Sequence, residues 1–369
     1  MKIIAFYLPQ FHEIPENNEW WGKGFTEWVN VRNAKPIFEG HNQPRVPLDN
    51  NYYDLSDNSV MDWQINLAKE YGIYGFCFYH YWFDGHLLLE KPIEAFLSNK
   101  KQQMPFCICW ANEHWTNAWV SKENKVLIEQ RYGEKKEWCE HFNYLLQYFN
   151  DDRYIKNNNK PFVVIYRPEI IECLNPMLDY WQELAVKNGF DGLEFAYQHA
   201  SFYMYPNRDE SRFTYNIEYQ PIYAQTLLAQ KKFGFLRKLK REISGFAERR
   251  MGIDIRHVAD RLIMYDYDEV WDYILNMSPT TNHSIPGAFV DWDNTPRRGK
   301  KGSLFVGVSP EKFQEYMTKQ IRRAKNVYHT DMLFIFAWNE WAEGGYLEPD
   351  ETNRYKYLEA IKYALEANK

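Results

Sequence analysis

The feature that most constrains the fold of this 369-residue chain is a series of eight short apolar segments separated by longer amphipathic stretches. Each segment has the length of one strand. They are nearly continuous apolar runs, which is typical of parallel strands covered on both faces. The predicted strands are Ile3–Leu8, Tyr74–Tyr79, Phe106–Trp110, Phe162–Tyr166, Leu193–Tyr197, Tyr215–Tyr219, Gly287–Asp291 and Leu333–Trp338.

The stretches between these segments have helical periodicity and carry helix start signals. Helices are predicted from a cap at Ser56 or Asp57 to Gly72, over 134–149, from Asn175 to Gly189, from Ser309 through Ala324, and from Tyr355 to about 367. Strands that alternate with helices predict an α/β fold of the (β/α)8 TIM-barrel type. A doubly wound sheet is the alternative, but no strand is followed by a glycine-rich phosphate loop. Without a repeat or linker, the chain is predicted to form a single domain over 1–369.

One segment does not fit a minimal barrel. Residues 224–260 are rich in lysine and arginine and repeat apolar residues at helical spacing. An inserted helical segment with a solvated basic face is one interpretation. A lid, or a patch over about 230–250 that makes peripheral contact with an anionic membrane surface, is the other.

Composition limits the class of partner. A net charge of −6 argues against nucleic-acid binding, whereas an aromatic content of 18% is high for a globular protein. Five cysteines without a CxxC motif predict neither disulfides nor a zinc site, and no cofactor motif is present. The apolar run at the N-terminus is short for a signal peptide, and no stretch reaches membrane-spanning length. The sequence therefore predicts a cytoplasmic protein with no cofactor, no metal and no transmembrane segment.

Polar and aromatic residues follow the predicted strands repeatedly. In a (β/α)8 barrel, the C-terminal ends of the strands and the loops after them form the active site. A groove lined by indole, phenol, imidazole, amide and carboxylate groups suits a carbohydrate, because rings stack on aromatic faces and hydroxyls bond to polar groups. The predicted substrate-binding residues are His12, Trp28, His80, Tyr81, Trp82, Trp110, Asn112, Glu113, Trp115, Tyr166, His199, Trp292, Asn294, Arg297, Trp338, Asn339 and Trp341.

The catalytic candidates are Glu340 and Glu343, which follow the last predicted strand. In a helical turn their Cβ atoms would lie roughly 5–6 Å apart. Paired carboxyl groups have a similar separation in enzymes that cleave glycosidic bonds with retention. Trp338 and Trp341 flank the pair and offer flat faces to sugar rings. A solvated surface pair is the alternative.

Several of these residues have a second interpretation. Arg297 and its neighbour Arg298 could bind an anion or pair with Asp291 or Asp293, and Glu113 could be a third acid or could orient Trp115. Two other classes of function stay open, a non-catalytic carbohydrate-binding barrel and a metal-dependent hydrolase. The metal ligands in that hydrolase would come from His12, His80, His114 and His199 with Asp291 or Asp293.

Six ordered motifs over about residues 1–350 together resemble the WbsX-type family of bacterial surface-polysaccharide biosynthesis, which is similar to glycoside hydrolase family 99. The motifs are Tyr7-Leu8-Pro9-Gln10-Phe11-His12, Gly24-Phe25-Thr26-Glu27-Trp28, Phe78-Tyr79-His80-Tyr81-Trp82, Trp110-Ala111-Asn112-Glu113, Trp292-Asp293-Asn294-Thr295-Pro296-Arg297 and Trp338-Asn339-Glu340-Trp341-Ala342-Glu343-Gly344.

The resemblance to family 99 implies a division of labour between the two carboxylates. Glu340 would deprotonate the 2-hydroxyl of a mannose-like sugar, giving an anhydro-sugar, and Glu343 would be the acid/base. The substrate would be an oligosaccharide or a lipid-linked glycan. Ala342 and Gly345 depart from the histidine and threonine usual in family 99, and this departure affects the choice of substrate more than the chemistry. Glycosyl transfer and hydrolysis both remain open.

Overall fold

The computed structural model describes residues 1–116, 125–200, 209–230 and 262–369. Nine of its strands pair with one another in parallel only. In chain order they are β1 (Lys2–Tyr7), β2 (Gly75–Phe83), β3 (Phe106–Trp110), β4 (Lys160–Ile165), β5 (Glu194–His199), β6 (Tyr215–Glu218), β7 (Ser284–Ile285), β8 (Gly287–Phe289) and β9 (Met332–Phe336).

These strands follow the circular order of a (β/α)8 barrel. Along the sheet the order is β7, β6, β5, β4, β3, β2, β1, β9 and β8. The two ends of this order, β7 and β8, are separated in the chain by Pro286 alone. Proline cannot donate to a strand ladder, which explains the break. The two short strands together occupy the seventh of the eight positions of the barrel, so the predicted fold class is confirmed.

Helices separate most of these strands along the described chain. The longer ones are Asn58–Glu70, Lys91–Ser98, Lys135–Phe149, Leu174–Lys187, Tyr267–Asn276, Pro310–Asn326 and Lys356–Glu366, and shorter ones are Pro15–Trp21, Glu27–Asn33 and Thr295–Arg298. Residues 222–230 are also helical. The predicted cap at Asp57 is confirmed, because its side chain accepts a hydrogen bond from the Ser59 amide at 2.9 Å.

The barrel interior is filled by aromatic rings. Phe6 of β1 lies 5.4 Å from Tyr219 after β6, and Phe162 of β4 lies 6.0 Å from Phe334 of β9, measured between ring centroids. These strands are not neighbours in the sheet, so the contacts cross the barrel. The interior is therefore a packed core, and a ligand can bind only where the core ends.

The predicted strands agree with the observed ones apart from their ends. Strand β2 extends to Phe83 because residues 81–83 pair with the short strand His86–Leu88. The predicted basic insert at 224–260 lies outside the described residues from 231 onward. Within the described ranges, no helix combines the length and the apolar character that crossing a bilayer requires.

Candidate active site

A cavity of about 1050 Å³ lies at the C-terminal ends of the strands. Its wall includes residues that follow or end β1, β2, β3, β4, β6, β8 and β9, which is where barrel enzymes carry their active sites. Both catalytic candidates line it. The predicted substrate-binding residues that line it are Tyr81, Glu113, Trp115, Tyr166, Trp292, Asn294 and Arg297.

Glu340 and Glu343 lie on a turn that directly follows β9. Asn339–Glu340 pairs antiparallel with Gly345–Tyr346, and the 3-10 turn Trp341–Glu343 joins the two segments. Gly345 lies so close to the ring of Phe336 that an added Cβ would come within 2.1 Å of it. Glycine at this position therefore lets the turn fold back over the end of β9.

Two side chains of the turn fix it from below. The Asn339 amide accepts a hydrogen bond from the Leu8 amide at 2.8 Å and donates one to the Leu8 carbonyl at 3.0 Å, which ties the turn to the end of β1. Trp341 stacks on Tyr346 at 3.8 Å and donates from Nε1 to the buried Glu348 carboxylate at 2.7 Å. The two carboxylates thus stand on a rigid support.

The guanidinium of Arg297 joins both candidates and adds a third carboxylate. Its Nη1 lies 2.8 Å from Oε1 of Glu343, and its Nη2 lies 3.2 Å from Oε1 of Glu340. The same Nη2 lies 3.2 Å from Oε2 of Glu27. Arg297 comes from the helix Thr295–Arg298 after β8, so three loops converge on one buried cation.

Burial governs the protonation of this pair. It raises the pKa of Glu340 to about 8, with Glu343 and Glu27 adding to the rise and Arg297 opposing it. Burial also raises the pKa of Glu343, again against Arg297. Three carboxylates around one guanidinium are not all ionised at low cost in a buried site. The pair therefore tends to hold a proton near neutral pH.

Three predicted substrate-binding residues lie on the outer side of the barrel wall instead. His80 and Trp82 belong to β2, where successive side chains point to opposite faces, so they point away from the Tyr81 side. Nε2 of His80 lies 2.9 Å from Nε2 of His141, on the helix Lys135–Phe149. Trp82 stacks on the His141 ring at 4.6 Å, and Trp110 packs against it at 4.7 Å. They join strand to helix and do not line the cavity.

The predicted tryptophans around the carboxylate turn are also buried away from the cavity. Trp338 packs on Phe76 at 5.2 Å, and Trp28 packs on Trp341 at 5.4 Å, so none of these three indoles offers a face to a sugar. The flat faces of Trp338 and Trp341, which were predicted to stack on sugar rings, pack against other aromatic side chains. Asn339 is likewise committed to Leu8. These four residues support the cavity without lining it.

Three further predicted residues are buried next to the cavity lining. Asn112 exchanges two hydrogen bonds of 2.7 Å with the backbone of Arg167 and holds that loop in place. His12 is buried, which lowers the pKa of its imidazole. His199 packs against the ring of Tyr223 at 5.0 Å. The sequence pattern placed all three after strands, but a position in the chain does not specify the direction of a side chain.

The structure shows the partners of the charged residues near the cavity. Glu113 pairs with Arg167, and Arg297 pairs with the glutamates and not with Asp291 or Asp293. Asp291 pairs with Arg45, whose Nη2 lies 2.6 Å from Oδ2 of Asp291. Asp293 accepts from His41 at 2.8 Å.

Three residues that were not predicted as site residues, Glu27, Trp21 and Phe25, also line the cavity. The signal for them was the aromatic and polar segment at 20–28, which follows the first strand. Among the described residues, no three histidine, cysteine or acidic side chains lie close enough together to hold a metal.

The fold has solved counterparts. An endo-α-mannosidase of glycoside hydrolase family 99 from Bacteroides thetaiotaomicron aligns with 99% of this chain and 96% of its own, at a TM-score of 0.55 and 13% identity. A glycoside hydrolase-like protein aligns with 98% of this chain and 93% of its own, at a TM-score of 0.55 and 12% identity. At these identities the comparison shows the fold alone. The chain is a barrel of the same fold as the family-99 enzyme.

The sequence comparison defines the family. The model of the family described as glycosyltransferase WbsX matches residues 3–361, so the chain belongs to that family. A curated relative, the uncharacterized protein WxcX of Xanthomonas campestris pv. campestris, is 36% identical over 367 residues. The match covers 98% of this chain and 49% of that relative. The chain thus spans about half the length of the curated relatives it matches.

Proposed function

We propose that this chain is a carbohydrate-active domain of bacterial surface-polysaccharide metabolism that cleaves or transfers a glycosyl group with Glu340 and Glu343. The contact of the Arg297 guanidinium with both buried carboxylates carries the proposal. Two acids held on one cation at the end of a cavity are suited to moving protons on either side of a glycosidic bond. The family and the barrel it shares with family 99 support the same class of chemistry.

In the first step, Glu340 takes the proton of the sugar 2-hydroxyl, whose oxygen attacks the anomeric carbon. The bond from that carbon to the glycosidic oxygen breaks, and Glu343 protonates the departing oxygen. A 1,2-anhydro-sugar results. The assignment of base and acid rests on the resemblance to family 99, because burial raises the pKa of both carboxyl groups.

In the second step, Glu343 takes a proton from water or from an acceptor hydroxyl, whose oxygen attacks the same carbon. The anhydro ring opens, and its oxygen recovers the proton from Glu340. Hydrolysis and transfer differ only in the acceptor. The cavity, at about 1050 Å³, is at the upper end of the usual range for ligand pockets, about 300–1,000 Å³, so it has room for more than one sugar ring of the proposed oligosaccharide or lipid-linked glycan.

The test is a mass-spectrometric screen of oligosaccharides and lipid-linked glycans in water enriched in oxygen-18. We expect the wild-type chain to convert at least one glycan, and we expect Glu340→Gln and Glu343→Gln each to lower the rate by 100-fold or more. Incorporation of oxygen-18 identifies hydrolysis, whereas a lengthened glycan without the label identifies transfer. Glu366→Gln, on an exposed face of the last helix, is the control for loss of one negative charge.

The intermediate has a separate test. A substrate with hydrogen in place of the 2-hydroxyl has no oxygen to attack the anomeric carbon, so it should be inert. Turnover of that 2-deoxy substrate would contradict the anhydro-sugar route. Full activity in either glutamine variant would contradict the assignment of the pair.

A further inference from the structure

Glu27 lines the cavity, and the described residues use only one of its two carboxylate oxygens. Its Oε2 accepts from Nε of Arg297 at 3.3 Å, from Nη2 of the same residue at 3.2 Å, and from Nδ2 of Asn30 at 3.3 Å. No donor among the described residues contacts Oε1, although Glu27 lines the cavity. An ionised carboxylate only accepts hydrogen bonds, so Oε1 is suited to a hydroxyl or an ammonium donor.

The charge around this oxygen is negative. Glu27, Glu340 and Glu343 surround the single buried guanidinium of Arg297, which contacts all three. One shared proton on the Glu340–Glu343 pair still leaves an excess of one negative charge. Arg298 also lines the cavity and lowers the pKa of Glu343, but it is exposed to solvent, so its positive charge offsets only part of this excess. A second carboxylate or a phosphate brought to this point by a substrate would be repelled.

We infer that Glu27 is a substrate-binding residue that accepts a hydrogen bond from the reacting sugar and makes the cavity select sugar residues without a negative charge. This inference rests on the proposed function and narrows its substrate class to neutral or amino sugars at the reaction centre. Acidic residues can belong to the same polymer, provided that they bind away from the three glutamates.

The two contributions of Glu27 can be separated by two substitutions. Glu27→Gln keeps the length of the side chain and an acceptor oxygen but removes the charge. Glu27→Asp keeps the charge but withdraws the oxygen by one methylene. Glu19→Gln is the matched control, because Glu19 is an exposed carboxylate on the neighbouring helix Pro15–Trp21 and does not line the cavity.

The experiment compares methyl glycosides with their uronic acids. Methyl α-mannoside, glucoside and galactoside are titrated into the full chain, each beside the uronate that differs only at carbon 6, and binding is followed by saturation-transfer NMR. At least one neutral glycoside should bind the wild-type chain ten-fold or more tightly than its uronate. Glu27→Gln should reduce that ratio to three-fold or less, and Glu27→Asp should weaken neutral binding while preserving the ratio. Glu19→Gln should change neither.

Three results would overturn the inference: no binding of any neutral glycoside, uronates that bind the wild-type chain as tightly as their neutral partners, and an unchanged ratio in Glu27→Gln. Because binding is measured without turnover, its outcome is independent of the glutamine variants of Glu340 and Glu343. If the binding experiment fails while turnover still depends on Glu340 and Glu343, only the role of Glu27 is refuted. If neutral glycosides bind selectively but turnover does not depend on Glu340 and Glu343, the proposed reaction is refuted and a sugar-binding site remains.

Discussion

Replacing Glu340 by glutamine should make the protein more stable at neutral and alkaline pH, although it should lower turnover by 100-fold or more. The carboxyl group is buried beside Glu343 and Glu27, and this environment raises its pKa to about 8 from an ordinary value of 4.5. Ionised Glu340 is therefore less stable in the folded chain than in the unfolded chain. Glutamine has the same size and carries no charge, so it removes this cost.

The size of the effect follows from proton linkage. Between pH 4.5 and about 8, the folded chain holds a proton that the unfolded chain has lost. The free energy of unfolding of the wild-type chain therefore falls as pH rises, by up to roughly 1.4 kcal/mol per pH unit. Between pH 5 and pH 7 the free energy of unfolding of the Glu340→Gln variant should rise by up to about 3 kcal/mol relative to that of the wild type. The proton is shared with Glu343, which makes this figure a maximum.

The assay is urea unfolding at pH 5, 6, 7 and 8, followed by far-ultraviolet circular dichroism. The difference in free energy of unfolding between the two proteins should be smallest at pH 5, because linkage to Glu340 begins near pH 4.5 and accumulates as the pH rises. The gap should widen steadily to pH 8. Glu366→Gln, on the solvent-exposed side of the last helix, should show no such divergence. A constant gap, or a variant that loses stability relative to the wild type as pH rises, would refute the reasoning.

Two further predictions concern the supports of the site. Burial lowers the pKa of His80 to about 3. Below pH 6.5 this imidazole therefore binds a proton in the unfolded chain but not in the folded chain. His80→Gln should flatten the decline in the free energy of unfolding between pH 6.5 and 4 by up to roughly 1.4 kcal/mol per unit, and an unchanged acid profile in urea titrations would contradict this. Trp341→Phe removes one of three hydrogen-bond donors to the buried Glu348 carboxylate and should cost about 1–3 kcal/mol at pH 8. A loss smaller than about 0.5 kcal/mol would show that the contact with Glu348 is dispensable.

The sequence by itself determined the architecture. Eight apolar runs and the helical stretches between them were sufficient for the barrel, because periodicity and burial on both faces are properties of consecutive residues. It also located the Glu340–Glu343 pair after the last strand. The least regular strand position, the seventh, was predicted as one strand at 287–291, and the preceding strand Ser284–Ile285 was not predicted.

The tertiary structure decided which of the polar residues after the strands belong to the cavity. Tyr81 lines the cavity, whereas its neighbours His80 and Trp82 lie against a helix, because alternation along a strand sends adjacent side chains to opposite faces. Trp338 and Trp341 looked like sugar-stacking residues in the sequence but are packed beneath the turn.

The electrostatic centre of the site could not be derived from the sequence alone. Glu27, Arg297 and Glu340 are separated by 270 and 43 positions, and nothing in their local patterns links them. Closure of the barrel brings the ends of β1, β8 and β9 side by side, and only then does one guanidinium meet three carboxylates. Local pattern fixes the elements of this protein, whereas the charge of its cavity arises from long-range contacts that exist only in the folded chain.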